Sequence, residues 1–101
     1  MADIYDVAYD LSVKADRLGR ELGDALGDEY RVKLSAKIGS LSQREDMRSL
    51  AELMEDFLRK MNVDVSDIVD FLRDRNVPMD VRTNIGYAFA SGVRGPIKRR
   101  W

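Results

Sequence analysis

Short blocks of apolar residues at spacings of three and four, cut at close intervals by Gly, Asn and Pro, restrict this chain to brief amphipathic helices. Helices of that length are marginal alone in water and must bury their apolar stripes on one another. From Ile4 to Leu26 the stripe runs through Ile4, Val7/Ala8, Leu11, Ala15, Leu18, Leu22 and Ala25/Leu26, with Gly27 as the expected C-cap. Tyr30, Leu34, Ile38 and Leu41 predict a second helix over Glu29 to Leu41. Ser42-Gln43-Arg44-Glu45 reads as a capping box, opening a third helix whose face is Met47, Leu50, Met54, Phe57/Leu58 and Met61. Asn62 closes it. Asp64 or Ser66 then opens a fourth helix carrying Ile68, Val69, Phe71 and Leu72, and Asn76-Val77-Pro78 stops it. A fifth is expected from Val81 to Ser91, capped by Asp80 and ended by Gly92, with Ile85, Tyr87, Ala88 and Phe89 available for burial. The fold class is therefore all-α: a compact bundle of about five helices over residues 1–92, followed by a basic C-terminal tail over 93–101.

At 101 residues, 45% apolar and 35% charged, the chain suits one domain with one modest core. It contains neither cysteine nor histidine. Disulfides, thiolate nucleophiles, imidazole-based zinc sites and Ser-His or Cys-His pairs are thereby excluded, so the expectation is a protein that is not an enzyme and uses no cofactor or metal. The opening Met1-Ala2-Asp3-Ile4-Tyr5-Asp6 lacks the basic region and apolar run of a signal peptide, and no segment has the apolar length of a membrane span. A cytoplasmic location without membrane contact is expected.

Charge is unevenly placed. Residues 1–80 hold 12 Lys+Arg against 18 Asp+Glu, whereas residues 81–101 hold Arg82, Arg94, Lys98, Arg99 and Arg100 with no acid. With Trp101 beside them, these groups suit phosphates and base stacking, or an acidic protein face. Binding through so few contacts is weak, salt-sensitive and independent of sequence. The pairs Lys33/Lys37 and Arg44/Arg48, each four residues apart, would extend a basic strip if the fold aligned them with the tail.

Gly19, Gly23 and Gly27, continued upstream by Ala15, form a ridge of small residues on the first helix. Each interior glycine costs about 1 kcal/mol of helix stability. Close approach by another helix would offset that, either inside the monomer or at a subunit interface. The acidic series Asp3/Asp6/Asp10 and Asp67/Asp70/Asp74 each share a helical face and are read as solvated charge in first turns rather than as a metal site. A calcium loop over Asn62-x-Asp64-x-Ser66 fails, because Asp67 stands where glycine is required and Arg73 where glutamate is. Leu58 to Leu72 loosely fits a helix-turn-helix, but its second helix offers Asp67, Asp70 and Asp74 to a phosphate-lined groove.

The stretches Ile4-Tyr5-Asp6-Val7-Ala8-Tyr9, Asp16-Arg17-Leu18, Ala25-Leu26-Gly27-Asp28-Glu29 and Ala88-Phe89-Ala90-Ser91-Gly92-Val93-Arg94-Gly95 resemble the small helical subunit of archaeal type I-A CRISPR surveillance complexes, over about a third of the chain. The resemblance implies a non-catalytic bundle that assembles in several copies with other protein subunits and steadies RNA or DNA through its backbone. A homo-oligomer fits that expectation. The alternatives are a small helix-turn-helix DNA-binding regulator and a protein–protein adaptor with no nucleic-acid role.

Overall fold

In the computed structural model, which describes residues 3–96, five helices follow in order: α1 (Ile4–Asp24), α2 (Asp28–Ser42), α3 (Arg48–Arg59), α4 (Ser66–Arg73) and α5 (Met79–Arg94). No strand occurs among the described residues. The expected all-α bundle is what forms, with a radius of gyration of 13.2 Å.

α5 is the centre of the arrangement. Its packing partners are α1 on one flank and α2 on the other, and α1 and α2 make no substantial contact with each other. α1 and α5 run parallel: Ala8 packs with Val77 and Val81, Gly19 lies against Phe89, and Gly23 against Val93. α2 runs antiparallel to α5, its Ser42 meeting Gly86, its Ser35 Oγ donating to the Ala90 carbonyl at 2.9 Å and its Arg31 reaching Val93. α3 and α4 close the other side of this layer. Leu50, Met54, Leu58, Ile68, Leu72, Ile38, Ile85 and Phe89 are fully buried between them.

The helix ends show which local signals operate. Asp3 caps α1, its Oδ1 accepting from the amides of Tyr5 and Asp6 at 2.9 Å each. α1 ends at Asp24 with Ala25 as its C-cap, and Gly27, expected there, has φ −70° and serves as the N-cap of α2. The expected capping box does not form. Ser42 is the last residue of α2, wholly buried, with its Oγ donating to the Ile38 carbonyl at 2.7 Å. Its place is set by contact with Gly86, and that tertiary contact outweighs the local cap. Instead Asp46 accepts from the Arg48 amide at 2.9 Å, and α3 is correspondingly shorter than expected.

Asn62 does close α3. With φ 59° it takes the left-handed position, its amide donating to the Arg59 carbonyl at 2.9 Å and that of Val63 to the Leu58 carbonyl at 3.1 Å. This is the Schellman pattern. Asp64 opens α4 by accepting from the Ser66 amide at 2.9 Å. α5 passes through Gly92 and continues to Arg94, so Val93 belongs to the core and not to the tail. Gly95, at φ 64°, is the true stop.

Candidate interaction surfaces

The small-residue ridge resolves into an intramolecular contact. A Cβ on Gly19 would stand 2.5 Å from the Phe89 carbonyl oxygen and 2.9 Å from the Val93 amide; on Gly23 it would collide with the Val93 carbonyl, and on Gly92 with the Asp16 carbonyl. The two parallel backbones thus approach until neither helix has space for a methyl group. Ala15 is fully buried on the same stripe. Gly27 is not part of the ridge, since nothing lies within 4 Å of where its Cβ would be.

Arg31, which nothing in the sequence patterning singles out, holds the end of α5. Its Nε donates to the Val93 carbonyl at 3.2 Å and its Nη2 to the Arg94 carbonyl at 3.1 Å, with Asp28 3.7 Å away. A cation at a helix C-terminus satisfies orphan carbonyls and meets the negative end of the helix dipole. Gly95 leaves room for this guanidinium, which a side chain there would strike.

The basic candidates among the described residues stand in different surroundings. Arg82 is half-buried, donating from Nε to the Val77 carbonyl at 3.1 Å and from Nη1 to the Leu72 carbonyl at 3.5 Å. It fastens the α4–α5 turn. Arg48 pairs with Asp46, its Nη2 3.1 Å from Oδ2, which holds the Asp46 carboxyl below the usual carboxylate range and raises Arg48. Both arginines line a groove of about 760 Å³ with Arg73 and Arg75, but Glu45, Asp46 and Glu52 line it too, so its charge is mixed. Lys33 lies 3.4 Å from Glu29 on the surface of α2. Lys37, Arg44 and Arg94 are exposed, with no ion pair among the described residues. Arg82 and Arg94 sit at opposite ends of α5, about 18 Å apart along the axis. Lys98, Arg99, Arg100 and Trp101 lie outside the described residues.

Half of the two acidic series is engaged. Asp3 is a cap, Asp67 pairs with Lys14 at 2.8 Å and so ties α4 to α1, and Asp74 accepts from the Asn76 amide at 2.9 Å. Among the described residues no group of three acids is placed to hold a metal ion, and no helix is long and apolar enough to cross a membrane. No known family model, curated protein or solved structure matches this chain. What it can do is therefore to be read from its own surface.

That surface carries a feature the periodicity concealed. Seven large apolar residues among those described are exposed, and all lie on three helices: Tyr5, Val7, Tyr9 and Val13 on α1, Tyr30 and Val32 on α2, and Tyr87 on α5. Tyr30 and Tyr87 were expected to be buried; they are 50% and 41% exposed. With about 3.6 residues per turn, Tyr5, Tyr9 and Val13 fall on the flank of α1 beyond its Gly19/Gly23 contact. Val32 falls beyond the Ser35/Ser42 contact of α2, and Tyr87 opposite the buried Phe89 side of α5. The outer face of the α1–α5–α2 layer is thus an aromatic and β-branched strip, while α3 and α4 show no exposed large apolar residue.

Proposed function

We propose that the protein is a non-enzymatic assembly subunit that works by docking the outer face of its α1–α5–α2 layer on other protein. The single observation that carries this reading is that five of the seven exposed large apolar residues, Tyr5, Tyr9, Val13, Val32 and Tyr87, share the outer face of those three helices. Scattered apolar residues on a surface need no explanation, but clustered ones, three of them tyrosines on α1 and α5, are the composition of an interface core. Tyr9, at 70% exposure, is the most open of them.

The finer reading is a nucleoprotein setting, such as the small helical subunit of a type I-A CRISPR surveillance complex. Its support is the resemblance of the first and last helices to that family, together with the open cations Lys37, Arg44 and Arg94 and the basic residues after Pro96. In that setting the cations supply phosphate contacts, and Arg82 and Arg48 contribute less because each already has an internal partner.

The test is purification of the tagged chain from its own cells. The expected result is elution in an assembly many times the 11.5 kDa of the chain, lost on joint Tyr9→Ser and Tyr87→Ser substitution while helical content stays unchanged. Joint Lys98→Ser, Arg99→Ser and Arg100→Ser substitution is expected to leave the protein assembly intact and strip bound nucleic acid at low salt. Recovery of the wild-type chain alone would overturn the assembly reading.

A further inference from the structure

On the outer face, Tyr5, Tyr9 and Val13 recur every four residues and form one ridge about 12 Å long on the first half of α1. The ground on both sides of that ridge is acidic. Asp6 and Asp10 follow one position further round α1, exposed and without an ion pair among the described residues. Beyond them, the Lys14–Asp67 pair and the packing of Phe71 with Ala8 set α4 alongside α1, so the α4 face that carries Asp70 and Asp74 borders the same ground. On the other side, Asp80 is exposed on the stripe of α5 that carries Tyr87, level with Ala8. Asp6 and Asp80 sit in first turns, where the helix dipole favours an acid, but Asp10 and Asp70 lie beyond them. The cations near this end are engaged elsewhere. α1 has none before Lys14, which is 2.8 Å from Asp67; Arg82 donates to the Val77 and Leu72 carbonyls; Arg73 pairs with Glu55 at 2.9 Å; and Arg75 lines the groove beside Arg48. Further along α1, the exposed Arg17 is outnumbered by the exposed Glu21 and Asp24.

Resting on the reading of this face as a docking surface, we infer that its α1 end takes a basic amphipathic helix of another protein, laid over Tyr5, Tyr9 and Val13 with Lys or Arg set on Asp6, Asp10 and Asp80. A ridge at helical spacing seats in the groove of another helix, which anchors itself through apolar residues three and four apart. The apolar contact supplies the affinity, and the acids select a cationic partner and speed its encounter. Other occupants suit the ground less. A nucleic-acid backbone would meet like charge. A second copy paired about a two-fold axis through this ridge would set Asp6 and Asp10 against the same residues of its partner. The chain's own end is too short: α5 finishes level with Gly23, about 25 Å along the axis from Asp6, and the five residues after Pro96 span at most about 17 Å.

The test is titration of the isotope-labelled full chain with a synthetic Leu/Lys peptide patterned as an amphipathic helix, read through backbone amide shifts. Saturable shifts are expected along Tyr5 to Val13 and at the start of α5, with a dissociation constant that rises about tenfold or more as salt goes from about 50 to about 500 mM. A Leu/Glu peptide of the same pattern is expected not to bind, and a Leu/Lys peptide of scrambled order to bind about tenfold more weakly. Asp6→Asn with Asp10→Asn, and separately Tyr9→Ser, are each expected to weaken binding about tenfold while helical content stays unchanged. Because Tyr9→Ser leaves the charge untouched, its effect separates docking on the ridge from general attraction between a cationic peptide and an acidic surface. Absence of saturable binding at millimolar peptide, equal binding of the Leu/Glu peptide, or shifts confined to other parts of the molecule would overturn the inference. So would self-association that Tyr9→Ser abolishes, or a change in the Asp6 and Asp10 amides on removal of residues 97–101, since a second copy or the chain's own end would then be the occupant. The two readings fail separately. A cellular assembly that the Tyr9/Tyr87 variant disperses, built on a chain that ignores the basic peptide, overturns the basic partner alone; a chain that binds the peptide on α1 but is recovered alone from its cells overturns the assembly role alone.

Discussion

At Gly19 and Gly92 the missing methyl group is the function of the residue. Alanine is the better helix former by about 1 kcal/mol, yet its Cβ would strike the opposing backbone, which cannot swing aside as a side chain can. Gly19→Ala and Gly92→Ala are each expected to lower stability by about 2 kcal/mol in denaturant titration. Gly39, inside α2 with nothing within 4 Å of its would-be Cβ, is the control, and Gly39→Ala is expected to raise stability by about 1 kcal/mol. From sequence alone the small-residue ridge demands a close partner, inside the monomer or across a subunit interface. The choice required Gly92, which patterning had assigned to a helix end. Arg31 was illegible for a related reason: its acceptors are carbonyls sixty-two and sixty-three residues away. Replacing it with Met is expected to cost about 1 kcal/mol through the uncapped end of α5.

For whole elements the apolar period located every helix, and the errors are confined to ends. Asp3, Asn62 and Asp64 act where their chemistry predicts, because each is exposed and answers only to its own backbone. Ser42 and Gly92 do not, because both are buried against another helix. The α3 and α4 starts carry an acid-dependent signature. The Arg48 guanidinium and amide hold the Asp46 carboxyl below its usual range, and the Ser66 amide does the same to Asp64. A carboxyl depressed in the folded state stabilises above its unfolded pKa and loses that contribution as pH falls through the folded value. Asp46→Ala is therefore expected to lower the melting temperature at neutral pH, with the deficit shrinking as the pH is lowered and the carboxyl of the parent chain takes up its proton.

Across the whole molecule, surface rather than core carries the functional reading, and there the sequence was least legible. Three-and-four spacing leaves Tyr5, Tyr9, Val13 and Val32 off the buried stripes, but it counts Tyr30 into the stripe of α2 and Tyr87 among the residues available to α5, and the fold leaves both in the open. Arg82 and Arg94 are likewise grouped as one basic pole by their place in the last twenty-one residues. Folding sends Arg82 to one end of α5 and Arg94 to the other, and engages Arg82 with carbonyls of the preceding turn.

The central position of α5 also dictates when this protein can exist. Gly19 finds its partner Phe89 seventy residues later, and the bundle has no middle until the last helix has left the ribosome. Until then α1 and α2 have nothing between them, and the apolar sides of Leu11, Leu18 and Ile38 stay uncovered. Pairings this distant in sequence slow the search for the native state relative to bundles assembled from neighbouring helices. A nascent chain lacking α5 is expected to remain unfolded and protease-sensitive, which a series of stalled or truncated chains ending before Met79 would register as cleavage throughout α1 to α4. Synthesis of this small domain is thus all or nothing, its first helix held waiting for its last.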